Sequence, residues 1–211
     1  MTALTLFQCL DVPENITTKD DNSPRRLRSV KCAECGSDAG LLNSEKQSIN
    51  LFKWQVNCQT TSSLKAPSAS ECLAATLLAS LSRSGSSKAV IYPISRENPG
   101  KPELEGTQSP SRDDRVLHVW ILNPNISYTS SEETCAAKNA IKLLYRIIDH
   151  ETADKIIEPV TSDVQDLSLP HDALNQSIGR LEASNQLFPQ DQRRYNDFRV
   201  GLLNRYEIES K

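Results

Sequence analysis

Glycine and methionine are scarce in these 211 residues, at seven and one, and several classes of function are excluded by what is missing. The scattered glycines form no phosphate-cradling loop of the G-x-G-x-x-G or G-x-x-x-x-G-K kind, so nucleotide binding is not expected. No Gly-x-Ser-x-Gly elbow supports a Ser-His-Asp hydrolase. No apolar run approaches the roughly eighteen residues that a membrane span needs, so no membrane contact is expected. A basic surplus is missing as well. The net charge is −3, whereas phosphate backbones are held by Lys and Arg in excess, so no direct nucleic-acid partner is expected. The one basic cluster, Arg25-Arg26-Leu27-Arg28, lies among Asp, Asn and Ser and reads as a solvated linker.

Met1–Leu10 is apolar but carries neither a positive start nor a small-residue cleavage site, so it does not read as a signal peptide. The expected location is cytoplasmic or nuclear, with the six cysteines as reduced thiols. The sequon Asn125-Ile126-Ser127 then carries no information.

What is present begins with Cys32-Ala33-Glu34-Cys35-Gly36. Two thiolates separated by two residues can aim at one metal when a following glycine takes the left-handed backbone. This is half of a zinc knuckle, because a closed tetrahedral site wants four ligands. Cys9, Cys58 and Cys72 are candidates to complete it, with His118, His150 and His171 as outside choices. The alternative is a reduced surface turn without metal. A redox role fits less well, since the pair does not open a helix after a strand.

Along the chain, residues 1–30 are expected to be a flexible segment and 31–211 the folded domain. Phe52, Trp54 and Val56 alternate with Lys53 and Gln55, which predicts a half-buried strand. Leu73, Leu77, Leu78 and Leu81 stand at helical spacing between a cap at Ser70 and a stop at Gly85. Lys88–Ile94 predicts a strand. The stretch 97–114 holds Pro99, Pro102, Pro110 and two glycines and predicts a disordered loop. Val116–Leu122 is apolar on both faces, which predicts a central strand ending at the turn Asn123-Pro124-Asn125. A helix is predicted from Ser130 or Ser131, with Ala136, Ala137, Ala140, Ile141, Leu144, Tyr145 and Ile148 as its buried stripe. Asp172–Asn185 and Gln190–Arg205 predict two amphipathic C-terminal helices. The expected class is α+β, a small mixed sheet with packed helices.

Several blocks stand in a familiar order. They are Phe52-Lys53-Trp54, then His118-Val119-Trp120-Ile121-Leu122-Asn123-Pro124-Asn125-Ile126 with Tyr128, Ser130 and Ser131, then Lys138 and Leu143-Leu144-Tyr145. Leu169-Pro170, Leu181-Glu182-Ala183-Ser184-Asn185 with Leu187 and Pro189, Arg193, and Val200-Gly201-Leu202-Leu203 follow. In this order the chain resembles the HECT-like ubiquitin-conjugating enzyme (E2)-binding proteins, a type of E3 ubiquitin ligase, from about Lys31 to Arg205. The family's N-terminal half carries further cysteines and a Trp-rich stretch that residues 1–30 do not match. The resemblance is therefore to the C-terminal portion, as in a fragment or a divergent short form.

The resemblance implies an E2 and ubiquitination substrates as partners. It does not bring a thioester mechanism. A true HECT domain has a nucleophilic cysteine near its C-terminus, whereas here Leu187-Phe188-Pro189-Gln190 stands in that region and no cysteine follows Cys135. Cys135 is the best-placed thiol for covalent transfer, in the first turn of the predicted helix, but Glu132 and Glu133 oppose a thiolate. Positioning an E2 without a covalent intermediate is the expected mechanism. The alternative is a zinc-stabilised scaffold or adaptor, linked as some relatives are to the mRNA 3′-end processing machinery. Trp54, Trp120 and His118 read as packed sheet residues. Leu181, Leu187, Phe188, Tyr195, Phe198, Val200, Leu202 and Leu203 either close the core or line an apolar groove for an E2.

Overall fold

The computed structural model describes residues 10–11, 28–43, 48–56, 66–94, 115–130, 137–158 and 163–207, in two units, Met1–Pro67 and Ser68–Lys211. The expected loop 97–114 and most of the expected flexible N-terminal segment lie outside the described residues. Parts of that segment are strand.

The first unit holds an antiparallel sheet in the order β1 (Leu10–Asp11), β2 (Arg28–Cys32), β3 (Asp38–Asn43) and β4 (Ser48–Leu51). Gly40 of β3 lies so close to β4 that a Cβ there would meet the Asn50 carbonyl oxygen at 2.5 Å. Val30, Ala39, Leu42 and Phe52 are buried. The strand expected through Phe52-Lys53-Trp54-Gln55-Val56 instead ends at Leu51, and residues 53–55 turn. Phe52 and Trp54 share a face by stacking, at 4.8 Å between ring centroids. The Gln55 amide closes the turn on the Phe52 carbonyl. An i, i+2 stack in a turn produces the same sequence pattern as a strand.

The second unit is a six-stranded mixed sheet with helices on both faces. Its order is β8 (Val164–Pro170), β5 (Lys88–Ile94), β6 (Val116–Tyr128), β7 (Lys138–Ile148), β10 (Phe198–Asn204) and β9 (Arg194–Tyr195), with β5 and β8 parallel and the other pairs antiparallel. Helix α1 (Ala69–Ser84) opens on a capping box. Ser68 Oγ accepts from the Glu71 amide, and the Ser68 amide donates to Glu71 Oε2 at 2.7 Å. The cap thus lies two residues before the expected Ser70. Gly85 ends the helix at φ 72°, as predicted. Helix α2 (His150–Ile157), capped by Asp149, and strand β8 had no clear signal in the sequence. Helix α3 (His171–Asn185) is the first of the two expected C-terminal helices.

Three expectations are corrected. The predicted helix over Ala136–Ile148 is strand β7 from Lys138 onward. Its apolar residues fall on two faces, with Ile141, Leu143 and Tyr145 toward α1 and α3 and Leu144 on the other side, because β7 is paired on both edges. The predicted second C-terminal helix is a 3₁₀ turn at Gln190–Gln192 followed by the β9–β10 hairpin. Asn196 takes the tight turn at φ 50°, a conformation asparagine tolerates. Finally, Asn123-Pro124-Asn125 does not end β6. The strand runs on to Tyr128, and register shifts at Ile121/Asn123 and Asn123/Ile126 absorb the missing proline donor.

One sheet face packs on α1 and α3. Leu73 and Leu77 of α1 and Leu174, Ile178 and Leu181 of α3 meet Ile91, Leu117, Val119, Ile121, Ile141, Leu143, Tyr145 and Leu203. Gly201 makes room in this layer, because a Cβ there would meet Leu181 Cδ2 at 2.8 Å and Tyr145 Cε1 at 3.0 Å. On the opposite face, α2 covers only the β5 end, with Ala153 packed on Val90 and Val116.

The C-terminus of α3 is tied to the β10 edge beyond the short β9. Asn185 Nδ2 donates to the Arg193 and Val200 carbonyls at 2.9 and 2.8 Å, and Ser184 Oγ accepts from the Leu202 amide at 2.9 Å. Arg193 in turn donates to the Phe188 and Gln186 carbonyls. Replacing Asn185 by Leu keeps the branched outline of the side chain and strands two carbonyls. The expected cost is about 2–4 kcal/mol, read as a lower denaturant midpoint with an unchanged slope.

Candidate functional site

Cys32 closes β2, and Cys35 lies in the exposed turn that leads to β3. The Gly36 amide donates to the Cys32 carbonyl at 2.8 Å and the Cys32 amide to the Ser37 carbonyl at 2.9 Å. Gly36 has φ 69°, the left-handed conformation expected of a knuckle glycine. Cys35 Sγ and Ser37 Oγ are 3.3 Å apart. Hydrogen bonds from the Ser37 side chain and backbone, and then from the Cys32 side chain, hold the Cys35 thiol below its ordinary range.

The turn therefore has the left-handed glycine that the motif called for. Among the described residues no three His, Cys, Asp or Glu side chains gather as a metal cluster. The expected completing ligands Cys9 and Cys58 lie outside the described residues. Leu10 of β1 is the register partner of Cys32. Cys72 belongs to α1 of the other unit, as His118, His150 and His171 belong to its sheet and helices.

Cys135 also lies outside the described residues. The described chain resumes just after it, with β7 from Lys138.

The more extensive surface is the part of the second unit's sheet that α2 leaves open. Alternation places His118, Trp120 and Leu122 of β6 on this face, with Lys142, Leu144 and Arg146 opposite them on β7. A hollow of about 400 Å³ is lined by Trp120, Leu122, Leu144, Val200, Tyr195 and the cations Lys142 and Arg194, with Gln192 at its side. A second hollow, of about 270 Å³, is lined by Lys88, His118, Trp120, Arg146 and Phe198, with Ile156 and Val164 at the α2 end. Trp120 lines both.

Large apolar groups are exposed here. Leu122 keeps 46% of its surface and Tyr195 59%. Three cations lie over aromatic rings. Lys88 is 5.5 Å from the Trp120 ring, Lys142 is 5.5 Å from that of Phe188, and Arg146 is 4.6 Å from that of Phe198. Lys88 also pairs with Asp163 at 3.4 Å.

His118 is 6% exposed. Its Nδ1 accepts from Arg146 Nε at 3.1 Å, which puts the imidazole proton on Nε2. That buried Nε2 has no hydrogen-bond partner, and the ring meets Phe198 edge-on at 5.2 Å. Removal from water, reinforced by the positive Arg146 and Lys88, pulls its pKa from 6.5 down to about 4. His118 is thus neutral at physiological pH, lines the second hollow and keeps its Nε2 donor buried and without a partner.

A family model described as HECT-like ubiquitin-conjugating enzyme (E2)-binding matches residues 3–200. The chain belongs to this family. The match starts at residue 3, whereas the resemblance in the sequence began near Lys31, so the N-terminal segment is part of the family pattern. No curated protein and no solved structure gave a match.

Several of the blocks by which this E2-binding family was recognisable prove to be structural. Ser184, Asn185, Arg193 and Val200 form the hydrogen-bonded tie between α3 and β10. Tyr128 hydroxyl donates to Asn204 Oδ1 at 2.8 Å. The exposed face was half legible. Tyr195, Phe198 and Val200 stood out as a surplus of apolar residues, but Trp120 and His118 read as ordinary packed residues. Only the cations Lys88, Lys142 and Arg146 at alternate positions beside them could have marked the face.

Stability is expected to decline as pH falls from about 6.5 to about 4, the window in which the unfolded chain protonates His118 and the folded chain does not. Above and below that window this group contributes no slope. An NMR titration of the imidazole should give a midpoint near 4 with the proton on Nε2; a midpoint near 6.5 would mean that the ring is solvated.

Proposed function

We propose that this protein binds an E2 without a covalent intermediate and promotes ubiquitin transfer from it to a substrate amine. The observation that carries this reading is the E2-binding family match over residues 3–200. An E2 already holds ubiquitin as a thioester. Transfer requires the acceptor amine to approach that carbonyl, the C–N bond to form and the E2 thiolate to leave. Holding the two reactants in one complex turns a bimolecular encounter into an effectively unimolecular one, which is worth orders of magnitude in rate and needs no nucleophile here. The chain's part is then to supply surfaces and rigidity.

Ubiquitin-loaded E2s, tested as a panel, should bind the protein and discharge faster onto lysine in its presence. Cys135→Ala should act within about twofold of wild type, as expected if no covalent bond forms through it. A ubiquitin thioester on this chain that Cys135→Ala abolishes would replace positioning with covalent transfer. Failure of every E2 to bind would remove the ligase reading.

The cysteine turn favours a second, compatible feature, a structural zinc held by Cys32 and Cys35 with Cys9 and Cys58 as the completing ligands. The left-handed Gly36 and the lowered Cys35 thiol support it. A bound Zn²⁺ would cross-link a small sheet with few buried side chains. Without ligase activity, the same features would describe a zinc-stabilised adaptor, linked to the mRNA 3′-end machinery through protein contacts.

Purified protein is expected to carry about one equivalent of zinc. Cys32→Ser should lose the metal and lower the melting temperature of the first unit. Less than about half an equivalent in wild type would count against the site.

A further inference from the structure

We propose that the open face of the six-stranded sheet docks a segment of the partner E2 that carries a bulky apolar side chain flanked by carboxylates. The apolar group enters the hollow over Trp120, Leu122, Leu144 and Val200, and a carboxylate reaches the Lys88, His118 and Arg146 hollow. The proposal rests on the E2-binding reading for the identity of the partner alone. The chemistry of the segment is argued from the face.

Charge complementarity selects the occupant. The chain as a whole is negative, at −3, yet Lys88, Lys142, Arg146 and Arg194 line these two hollows and no carboxylate residue lines either one among the described residues. Asp163 already pairs with Lys88, and Lys142, Arg146 and Arg194 draw an acidic segment to this face. The floor between the cations is apolar, and Leu122 and Tyr195 remain 46% and 59% exposed. A purely charged ligand would leave that surface wet.

A second observation points to the same ligand. His118 is nine-tenths buried, lines the smaller hollow and holds an Nε2 donor with no partner. An unpaired buried donor is unfavourable, so a carboxylate oxygen that reached it would be held. Arg146 is already fixed by its bond to His118 Nδ1 and its contact with Phe198, so it is preorganised to receive an anion.

Fluorescence anisotropy with two labelled short peptides tests the chemistry directly. One carries Leu-Phe between glutamates, and the other carries Leu-Phe between lysines. The acidic peptide should bind, and salt should weaken the binding. Leu122→Arg and Lys142→Glu should each reduce it about tenfold, with Arg194→Glu as a further rim variant and circular dichroism to show that each folds. The same variants should lose E2 binding in parallel.

Equal binding of the two peptides, or full E2 binding by Leu122→Arg and Lys142→Glu, would overturn the proposal. So would a wild-type dimer that Leu122→Arg dissociates, which would make the face a self-association surface. Acidic-peptide binding lost in the variants, with no E2 bound by wild type, would uphold the face and its chemistry and remove the E2 as owner of the segment.

Discussion

One side-chain amide completes the edge of the larger sheet. Asn185 Nδ2 holds two carbonyls, at Arg193 and Val200, while Ser184 Oγ takes the Leu202 amide. Strand β9 pairs with two residues of β10, so among the described residues the outer edge beyond Arg199 has no neighbouring strand. Unpaired backbone groups at such an edge either stay open to other chains or must be met by side chains. Here the last turn of α3 meets them. The same bonds draw α3 onto the sheet where Gly201 leaves space for Leu181 and Tyr145.

That closure decides what the other face looks like. With α1 and α3 drawn to one side, the core is complete without the residues that point the opposite way. Among the described residues, α2 covers part of that opposite face. Trp120, Leu122 and Tyr195 are left at the surface, and cations rest against the rings of Trp120, Phe188 and Phe198. Long basic side chains lying over aromatic rings lower the amount of bare apolar surface while keeping their charge in water. The arrangement suits reversible protein contact better than catalysis.

Periodicity located the elements whose neighbours in sequence shape them. Helix α1 was legible because its cap, its leucine spacing and its terminal glycine are local. Strand β5 and the first half of β6 were legible from apolar runs. Strand β7 was misread because Ala140, Ile141, Leu144, Tyr145 and Ile148 satisfy a helical stripe as well as a two-sided strand. Pairing with β6 and β10 broke the tie, and that information lies far away in the chain. Strand β10 was misread for the same reason, since Phe198 to Leu203 is apolar enough for either state. The cysteine turn, a local device, came out as its motif implied, down to the left-handed Gly36.

From residue order alone come the family, the α+β class, the knuckle-like turn and the exclusion of nucleotide loops and membrane-spanning helices. Each depends on which residues stand within a few positions of one another. The open face of the larger sheet depends on tertiary structure. His118, Trp120, Lys142, Arg146, Tyr195 and Phe198 come from four strands, and only sheet order and register put them side by side. Whether such residues pack inward or stay exposed is settled by which face the helices cover. Here Asn185 and Ser184 settle it by holding α3 on the other side.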